Sequence, residues 1–343
     1  MKTNDRLPIS QYRASEQRYG DSDGKHLEYR TCGESGLKLP ALSIGLWHNF
    51  GDAASFHDGR KMLRHAFDQG ITHFDLANNY GPPYGSAEET FGRVFQKDLK
   101  PYRDEMIIAT KAGYDMWPGP YGHGGSKKYL ISSCEQSLKR MQLDYVDIFY
   151  HHCPDPETPH EETADALAQI VRSGKALYIG ISNYYDPKAA ASIIKALKER
   201  GVPLLIHQLR YSMMDRRAEE SFDLAQREGF GVIAFSPLEQ GILTGKYNSE
   251  IPKNSRATDQ HSFLSGGVDQ EKVQKAIQLE AIANDCGVSL TTLALAWLLK
   301  TKVVTSILAG VSRIEQIDDN VKAVSCSDLG DDVWRRCDEI LLK

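Results

Sequence analysis

Short apolar runs alternate with amphipathic stretches of helical length along most of this chain, and this rhythm limits the possible folds more than any other pattern in it. Parallel strands need long, usually helical crossovers, because a tight turn joins only antiparallel neighbours. Eight strand and helix units therefore predict the α/β class, and a closed (β/α)₈ TIM barrel in preference to an open sheet. The predicted strands are Leu42–Leu46, Thr72–Asp75, Met106–Lys111, Tyr145–His151, Ala176–Ile181, Leu204–Gln208, Gly231–Phe235 and Ser306–Ala309.

Several of the connecting stretches carry helix signals. Apolar side chains recur every three or four residues in Lys127–Met141, which marks one helix face. Ser126 precedes that stretch as an N-cap residue, and Asp186-Pro187 opens another helix with proline at its first position. A short final helix is expected at Asp331–Leu341.

Three segments stand outside the alternation. Tyr29–Cys32 and Leu37–Leu39 flank a glycine-bounded turn, so we expect a β-hairpin that plugs the bottom of the barrel. Residues 1–28 are polar and weakly periodic, which predicts a flexible N-terminal arm before a single barrel domain over residues 29–343. Leu238–Val268 is a long segment rich in glycine and serine. Loops of that length in a compact domain are usually functional, and we expect long loops at the C-terminal face.

Composition narrows the classes of function. The formal net charge of −5 gives no basic footprint for nucleic acid. No apolar run approaches the roughly 18 residues of a spanning helix, and the N-terminus lacks the apolar core of a signal peptide. The six scattered cysteines contain no CxxC pair, and His151, His152 and Cys153 lie too close along one strand for a zinc site. We therefore expect a cytoplasmic protein without nucleic-acid, membrane or metal partners.

The carboxyl ends of the predicted strands give the strongest functional signal, because barrel enzymes build their active sites there. The second strand ends in Asp75, with Tyr80 five residues later. The third ends in Lys111 and the fourth in His151-His152. Each residue alone has an ordinary explanation, such as a loop cap, a packing residue or a solvated charge. Together, an acid, a phenol, an amine and an imidazole suit protonation of a carbonyl oxygen while hydride reaches the carbon.

The chemistry of these four groups is complementary. A phenol has an ordinary pKa of about 10 and is a poor acid at neutral pH. A neighbouring ammonium lowers that pKa, so Lys111 is expected to depress the pKa of Tyr80. Asp75 is expected to hold Lys111, while one of the two histidines orients the carbonyl oxygen.

Longer motifs around these residues resemble the aldo-keto reductase superfamily. The resemblance covers about residues 29–323, and Gly45–Gly51 and Lys111–Pro120 look closest to bacterial relatives of the potassium-channel β subunits. It implies a small carbonyl substrate, with L-glyceraldehyde 3-phosphate and methylglyoxal as candidates, and a homo-oligomer, either a tetramer or an octamer. The matching motifs are Gly70–Gly81, Ser86–Glu89, Leu143–His152 and Gly174–Asn183.

The resemblance implies a catalytic tetrad and selects one of the two histidines. The family frame of His, any residue, Pro and Asp fits His152-Cys153-Pro154-Asp155, which favours His152 over His151. Neighbouring strand residues point to opposite faces, so only one of the two should face the mouth. The implied tetrad is Asp75, Tyr80, Lys111 and His152, and the implied substrate site is lined by Trp47, Tyr80, Tyr114, Trp117 and His152.

An NADPH site is implied around the same mouth. Ser182, Asn183 and Gln208 would hold the nicotinamide carboxamide, and Phe235 would stack on the ring. The full set of implied cofactor residues is Trp47, Asp75, Ser182, Asn183, Gln208, Phe235, Ser236, Pro237, Leu238, Gln240, Gly241, Leu243, Lys246, Arg256, Gly310, Ser312, Arg313, Gln316, Asp319 and Asn320.

Two parts of this set would bind phosphate. Ser236–Tyr247 resembles a loop that folds over the pyrophosphate, although Glu239 stands where the family commonly has alanine or glycine. Ser312 and Arg313, ahead of a predicted helix, would bind a 2′-phosphate, which implies a preference for NADPH over NADH.

Two other functions stay open. The resemblance to channel β proteins allows a cofactor-bound regulatory subunit with slow or vestigial turnover, although a histidine at position 152, where those proteins have asparagine, favours a reductase. An unrelated barrel aldolase would use Lys111 as a Schiff base. Arg210, Lys127 and Lys128 are either contacts for an anionic substrate or ordinary surface charges.

Overall fold

In a computed structural model, residues 11–20, 27–249, 267–326 and 328–342 are described. The strands are β1 (Tyr29–Thr31), β2 (Lys38–Pro40), β3 (Leu42–Gly45), β4 (His73–Asp75), β5 (Ile107–Ala112), β6 (Val146–His151), β7 (Ala176–Ser182), β8 (Leu204–Arg210), β9 (Gly231–Phe235) and β10 (Val304–Ala309). Strands β3 to β10 are parallel neighbours in chain order, and β10 closes the barrel on β3. The predicted (β/α)₈ barrel is confirmed, and every predicted strand matches within two residues at each end.

Helices connect the barrel strands and cover their outer face. Within the described residues they are α1 (Phe56–Asp68), α2 (Ser86–Val94), α3 (Lys127–Met141), α4 (His160–Arg172), α5 (Pro187–Glu199), α6 (Phe222–Glu228), α7 (Gln270–Asp285), α8 (Leu290–Leu299), α9 (Ile314–Val324) and α10 (Asp331–Leu341). The Ser126 hydroxyl accepts the Tyr129 amide at the start of α3, and the Asp186 carboxylate accepts the Lys188 amide at the start of α5. Both predicted caps are therefore present.

The hairpin of β1 and β2 closes one end of the barrel. Its side chains Cys32 and Leu39 are fully buried and belong to one apolar cluster with barrel residues such as Ile148 and Ile206. The turn requires glycine at position 33, where φ is +56° and an added Cβ would lie 2.2 Å from the Gly229 carbonyl oxygen. This position matches the predicted plug.

The described part of the N-terminal arm, residues 11–20, packs against the barrel helices. The Tyr12 hydroxyl donates to Asp68 Oδ1 over 2.8 Å, and Arg18 forms an ion pair of 2.6 Å with Glu105. Residues 1–10 and 21–26 lie outside the described residues, and the division into arm and domain stays a prediction.

The segment after β9 enters a short 3₁₀ turn at Glu239–Thr244, and residues 250–266, which include Arg256, are outside the described set. Among the described helices, no single one is long and apolar enough to cross a membrane; α7 and α8 meet that criterion only as a pair bent by 90°.

Candidate active site

A buried ion pair lies at the centre of the barrel mouth. β4 ends at Asp75, which pairs with Ala109 of the neighbouring β5, and Lys111 lies two residues further along β5. Lys111 Nζ donates to Asp75 Oδ2 over 2.5 Å and to the Leu76 carbonyl oxygen over 2.6 Å. Gln208 Nε2 donates to the other carboxylate oxygen of Asp75 over 3.1 Å. The two charged side chains are no more than 2% exposed.

Burial acts against both charges of this pair. It lowers the pKa of Lys111 and raises the pKa of Asp75, while their mutual attraction opposes both changes. Desolvating two charges is costly unless further hydrogen bonds satisfy them. The Leu76 carbonyl and the Gln208 amide supply those bonds, so the pair is fixed in position.

Tyr80 lies on the loop after β4, with its ring over the ammonium group. Lys111 Nζ is 4.7 Å from the centroid of that ring. Burial raises the pKa of Tyr80 well above its ordinary value, and the charge of Asp75 adds to the effect. Burial and the charge of Asp75 therefore set the net direction of this pKa, and the expected lowering by Lys111 stays a prediction. Tyr80 keeps its proton at neutral pH, which is the form a general acid needs.

The two adjacent histidines point in different directions. His152 meets the ring of Tyr80 edge to face at 5.9 Å and that of Tyr114 at 4.7 Å. His151 instead pairs through Nδ1 with the Tyr184 hydroxyl over 2.6 Å. The structure thus brings His152, and not His151, beside Tyr80. Burial lowers the pKa of His152 well below its ordinary value, and the charge of Lys111 adds to this, so the imidazole is neutral.

Three aromatic residues were expected as walls of the substrate site. Trp47 lies 6.2 Å from Tyr80 between ring centroids, and Tyr114 is 42% exposed beside His152. Trp117 packs on Tyr129 at 5.3 Å, and the Tyr129 hydroxyl donates to the Tyr114 carbonyl oxygen. Trp117 therefore supports the wall that Tyr114 forms.

The residues expected at the nicotinamide end lie on adjacent strands. Ser182, Gln208 and Phe235 end or nearly end β7, β8 and β9, and Asn183 follows Ser182. Ser182 and Gln208 are buried, whereas Phe235 is half-buried and lies toward the mouth. Asn183 adopts a φ of +63°, and its Nδ2 donates to the His152 carbonyl oxygen over 3.0 Å. These residues form one wall that continues from Asp75 through Gln208.

The loop expected over the pyrophosphate has an unusual backbone. Ser236, Glu239 and Gln240 have φ of +54°, +46° and +55°, and Gly241 has +97°. The Gly241 backbone lies close to the end of the Lys246 side chain, because an added Cβ would lie 2.5 Å from Lys246 Nζ and the lysine would have to move. Of the other members of this loop, Pro237 and Leu243 are buried and Leu238 is half-buried.

The segment between β10 and α9 is the expected 2′-phosphate site. The Ser312 amide donates to Gln316 Oε1 over 2.8 Å, and Arg313 has a 66% exposed side chain. Within the described part of the chain, the N-cap residue Arg313 makes no side-chain cap hydrogen bond, which leaves backbone donors of the first turn of α9 for an anion. The preceding Gly310 is exposed, and of the adenine-side residues Asp319 is exposed and Asn320 is buried.

Some functional neighbours were not anticipated. Glu88, which is fully buried, accepts the Thr110 hydroxyl over 2.5 Å and Arg140 Nε over 2.6 Å, and so braces the strand that carries Lys111. Its motif was visible in the sequence, but its partners were not.

The basic candidates have other surroundings. Arg210 pairs with Glu239 over 2.8 Å and Asp215 over 3.4 Å. Lys127 is exposed, and the ammonium of Lys128 lies over Tyr121. In the part of the chain that is described, no cluster of three or more His, Cys, Asp or Glu residues could hold a metal ion.

Several known proteins are similar to this chain in sequence and in fold. The model of the aldo/keto reductase family matches residues 41–342. The L-glyceraldehyde 3-phosphate reductase of Escherichia coli K12 is 53% identical over 91% of this chain and 90% of its own length. A probable voltage-gated potassium channel subunit beta of Arabidopsis thaliana is 35% identical over 87% of this chain and 91% of its own. The holo form of an aldo-keto reductase from Bacillus halodurans superposes with a TM-score of 0.75 at 26% identity, covering 92% of this chain and 96% of that one.

Proposed function

The chain belongs to the aldo/keto reductase family, and from that premise we propose that it is an NADPH-dependent oxidoreductase that reduces small aldehydes and reactive ketones. The observation that carries the proposal is the position of Tyr80 beside both the Asp75–Lys111 pair and His152. A proton donor, a fixed ammonium and a neutral imidazole at one mouth are the groups that carbonyl reduction requires.

The residues around the mouth fit a nicotinamide dinucleotide. The bare backbone of Gly241 beneath Lys246 and the uncapped start of α9 each suit a phosphate group. The half-buried face of Phe235 suits a flat ring. When bound, the reduced nicotinamide supplies the hydride. The residues that would hold it are Ser182, Asn183, Gln208 and Phe235 at the ring, Gly241 and Lys246 at the pyrophosphate, and Ser312 and Arg313 at the 2′-phosphate.

The protein's own residues would handle the proton. The Tyr80 hydroxyl gives its proton to the carbonyl oxygen of the substrate, leaving a phenolate that regains a proton from solvent. The adjacent ammonium of Lys111 stabilises that phenolate, and Asp75 holds the ammonium in place. Neutral His152 is expected to donate a hydrogen bond to the same carbonyl oxygen.

The first substrates to test follow from the relatives. We propose L-glyceraldehyde 3-phosphate, because a 53% identical protein is a reductase of that compound, and methylglyoxal as a smaller reactive aldehyde with the same number of carbon atoms. Both would meet the aromatic wall of Trp47 and Tyr114.

Tyr80→Phe tests the proton donor. NADPH oxidation is measured with each aldehyde, and NADH is compared. The wild type is expected to turn over with NADPH in preference to NADH, and Tyr80→Phe to lower kcat by about 10²- to 10⁴-fold. NADPH binding, followed by fluorescence titration, should be retained. Turnover of Tyr80→Phe near the wild-type rate would refute the role of Tyr80.

A second candidate function is a cofactor-bound regulatory subunit, because channel subunit beta proteins are 35% identical over most of this chain. Such a protein would bind NADPH and show no turnover across a panel of aldehydes. Rapid turnover of either proposed substrate would exclude this reading.

We further propose a cytoplasmic homo-oligomer, a tetramer or an octamer, that acts on a small-molecule substrate. Light scattering on the purified protein tests the assembly directly. A monomer at micromolar concentration would contradict the proposal.

A further inference from the structure

Glu239 has a set of contacts that the proposed reaction does not explain. Its side chain is 3% exposed. Oε1 accepts Arg210 Nη2 over 2.8 Å and Lys272 Nζ over 2.6 Å, and Oε2 accepts the Ser212 hydroxyl over 2.9 Å. Both oxygens are thus satisfied by charged or polar donors, which are the strongest hydrogen bonds available to a carboxylate.

The three donors come from two elements on either side of the loop. Arg210 ends β8 and Ser212 follows it, whereas Lys272 lies in the first turn of α7. Arg210 is held in turn by Asp215, which also pairs with Arg217 over 2.7 Å. Glu239 therefore joins the start of the Ser236–Tyr247 loop to two parts of the scaffold.

The backbone at the same place needs such support. Glu239 and Gln240 have φ of +46° and +55°, a left-handed conformation that residues with a Cβ rarely adopt. Such conformations persist where the surroundings hold them. The turn they form places Gly241 beneath the ammonium of Lys246, which is the part of the loop assigned above to the pyrophosphate.

We propose that Glu239 is a positioning residue: by binding Arg210, Ser212 and Lys272 it holds the Ser236–Tyr247 loop in its phosphate-binding shape before any cofactor arrives. An alanine or a glycine at this position could not make these bonds. The link between Glu239 and cofactor affinity rests on the proposed function, whereas its effect on the loop does not.

The first measurement concerns the loop without cofactor. Hydrogen exchange of residues 238–248 is followed by mass spectrometry in the wild type, Glu239→Gln and Glu239→Ala. Both variants are expected to exchange about tenfold faster in this segment, the scale of one charge-assisted hydrogen bond. The matched control is Glu271→Gln, which removes an exposed ion pair with Lys275 on α7 and should leave the exchange unchanged.

The second measurement concerns the cofactor. The rate of NADPH dissociation, measured by stopped-flow fluorescence, is expected to rise about tenfold in Glu239→Gln. Lys272→Met removes one donor to Glu239 from a partly exposed position and should give a smaller change in both measurements. This variant tests the proposal even if the Glu239 variants do not fold.

The results of these measurements distinguish a failure of the proposed role of Glu239 from a failure of the proposed function. Unchanged exchange in a folded Glu239→Gln or Lys272→Met would overturn the proposal. Tighter NADPH binding in Glu239→Gln would also overturn it, since Glu239 would then be competing with phosphate for Arg210 and Lys272. If the wild type binds no NADPH, the proposed function fails, and the exchange data still decide whether Glu239 holds the loop.

Discussion

Lys111 illustrates how burial, rather than attraction alone, sets the proton positions in this site. Its ammonium has the Asp75 carboxylate and the Leu76 carbonyl as acceptors and touches Tyr80 through the face of the ring. Tyr80 therefore enters the reaction protonated, and Lys111 acts on the phenolate that forms afterwards. Because the ammonium and its hydrogen-bond partners are already in position, stabilising the phenolate requires no reorganisation of these groups during the reaction.

The adjacent histidines allow a sharp test of this geometry. We expect His152→Asn to lower kcat/KM by about 10- to 100-fold, because the ring beside Tyr80 is lost. His151→Asn should leave kcat/KM near wild type and lower the free energy of unfolding by about 1–3 kcal/mol, because the Tyr184 hydroxyl loses its partner. Steady-state kinetics and urea unfolding of both variants check this, and the reverse pattern would assign the role to His151.

The positions of these residues can be predicted from the sequence more reliably than the direction of their pKa shifts. Strand ends can be identified from periodicity, and they predict that Asp75, Lys111 and the histidine pair lie at one mouth of the barrel. The direction of the Tyr80 pKa depends on how much solvent the folded loops exclude, which no local pattern records. The role of Glu239 could not be predicted from the sequence, because its partner Lys272 lies 33 residues away.

At the scale of the secondary-structure elements, the β1–β2 hairpin is held against the barrel by a close contact that leaves no room for a side chain at position 33. Two short runs around a glycine-bounded turn predict the hairpin, and its antiparallel register pairs Arg30 with Leu39. What the sequence did not reveal is the contact that fixes the turn against the barrel. The Glu34 amide donates to the Gly229 carbonyl oxygen over 2.9 Å, and position 33 lies directly against the same group.

Two glycines in this one turn make a matched pair. Gly33→Ala is expected to lower the free energy of unfolding by roughly 2 kcal/mol or more, because φ is +56° and the new Cβ would lie 2.2 Å from a carbonyl oxygen. Gly36→Ala should be neutral or slightly stabilising, since nothing lies within 4 Å of its Cβ. Urea unfolding of the two variants provides the comparison. Equal losses of stability would mean that the contact with Gly229 is not what fixes the hairpin.

At the scale of the whole barrel, polar groups are buried from the hairpin to the mouth. His73 Nδ1 lies 2.9 Å from the Ser43 hydroxyl, which contacts that of Ser306 over 2.7 Å, and Ser306 donates to the Pro40 carbonyl oxygen. His207 is also fully buried, and neither ring nitrogen has a hydrogen-bond partner among the residues that the structure describes. A core with this many neutral imidazoles makes the stability of the entire fold depend on pH.

The direction of that dependence follows from the buried histidines. Burial lowers the pKa of His73 and His207 to about 3 and that of His151 to about 4, and it also lowers the pKa of His152 well below its ordinary value. The unfolded chain protonates the same groups near 6.5. The unfolded state therefore binds more protons below that pH, so stability is complete above about 6.5 and falls as the pH decreases. We expect each histidine to remove about 1.4 kcal/mol per pH unit between about pH 6 and pH 4.

Urea unfolding followed by circular dichroism at a series of pH values measures the number of protons taken up. His207→Phe keeps a ring of similar size between Tyr184 and Phe230 and should reduce the uptake at pH 5 by about one proton. Among the described residues, the imidazole of His207 has no hydrogen-bond partner that would stabilise a bound proton. An unchanged uptake in His207→Phe would nevertheless show that this imidazole already binds a proton in the folded barrel.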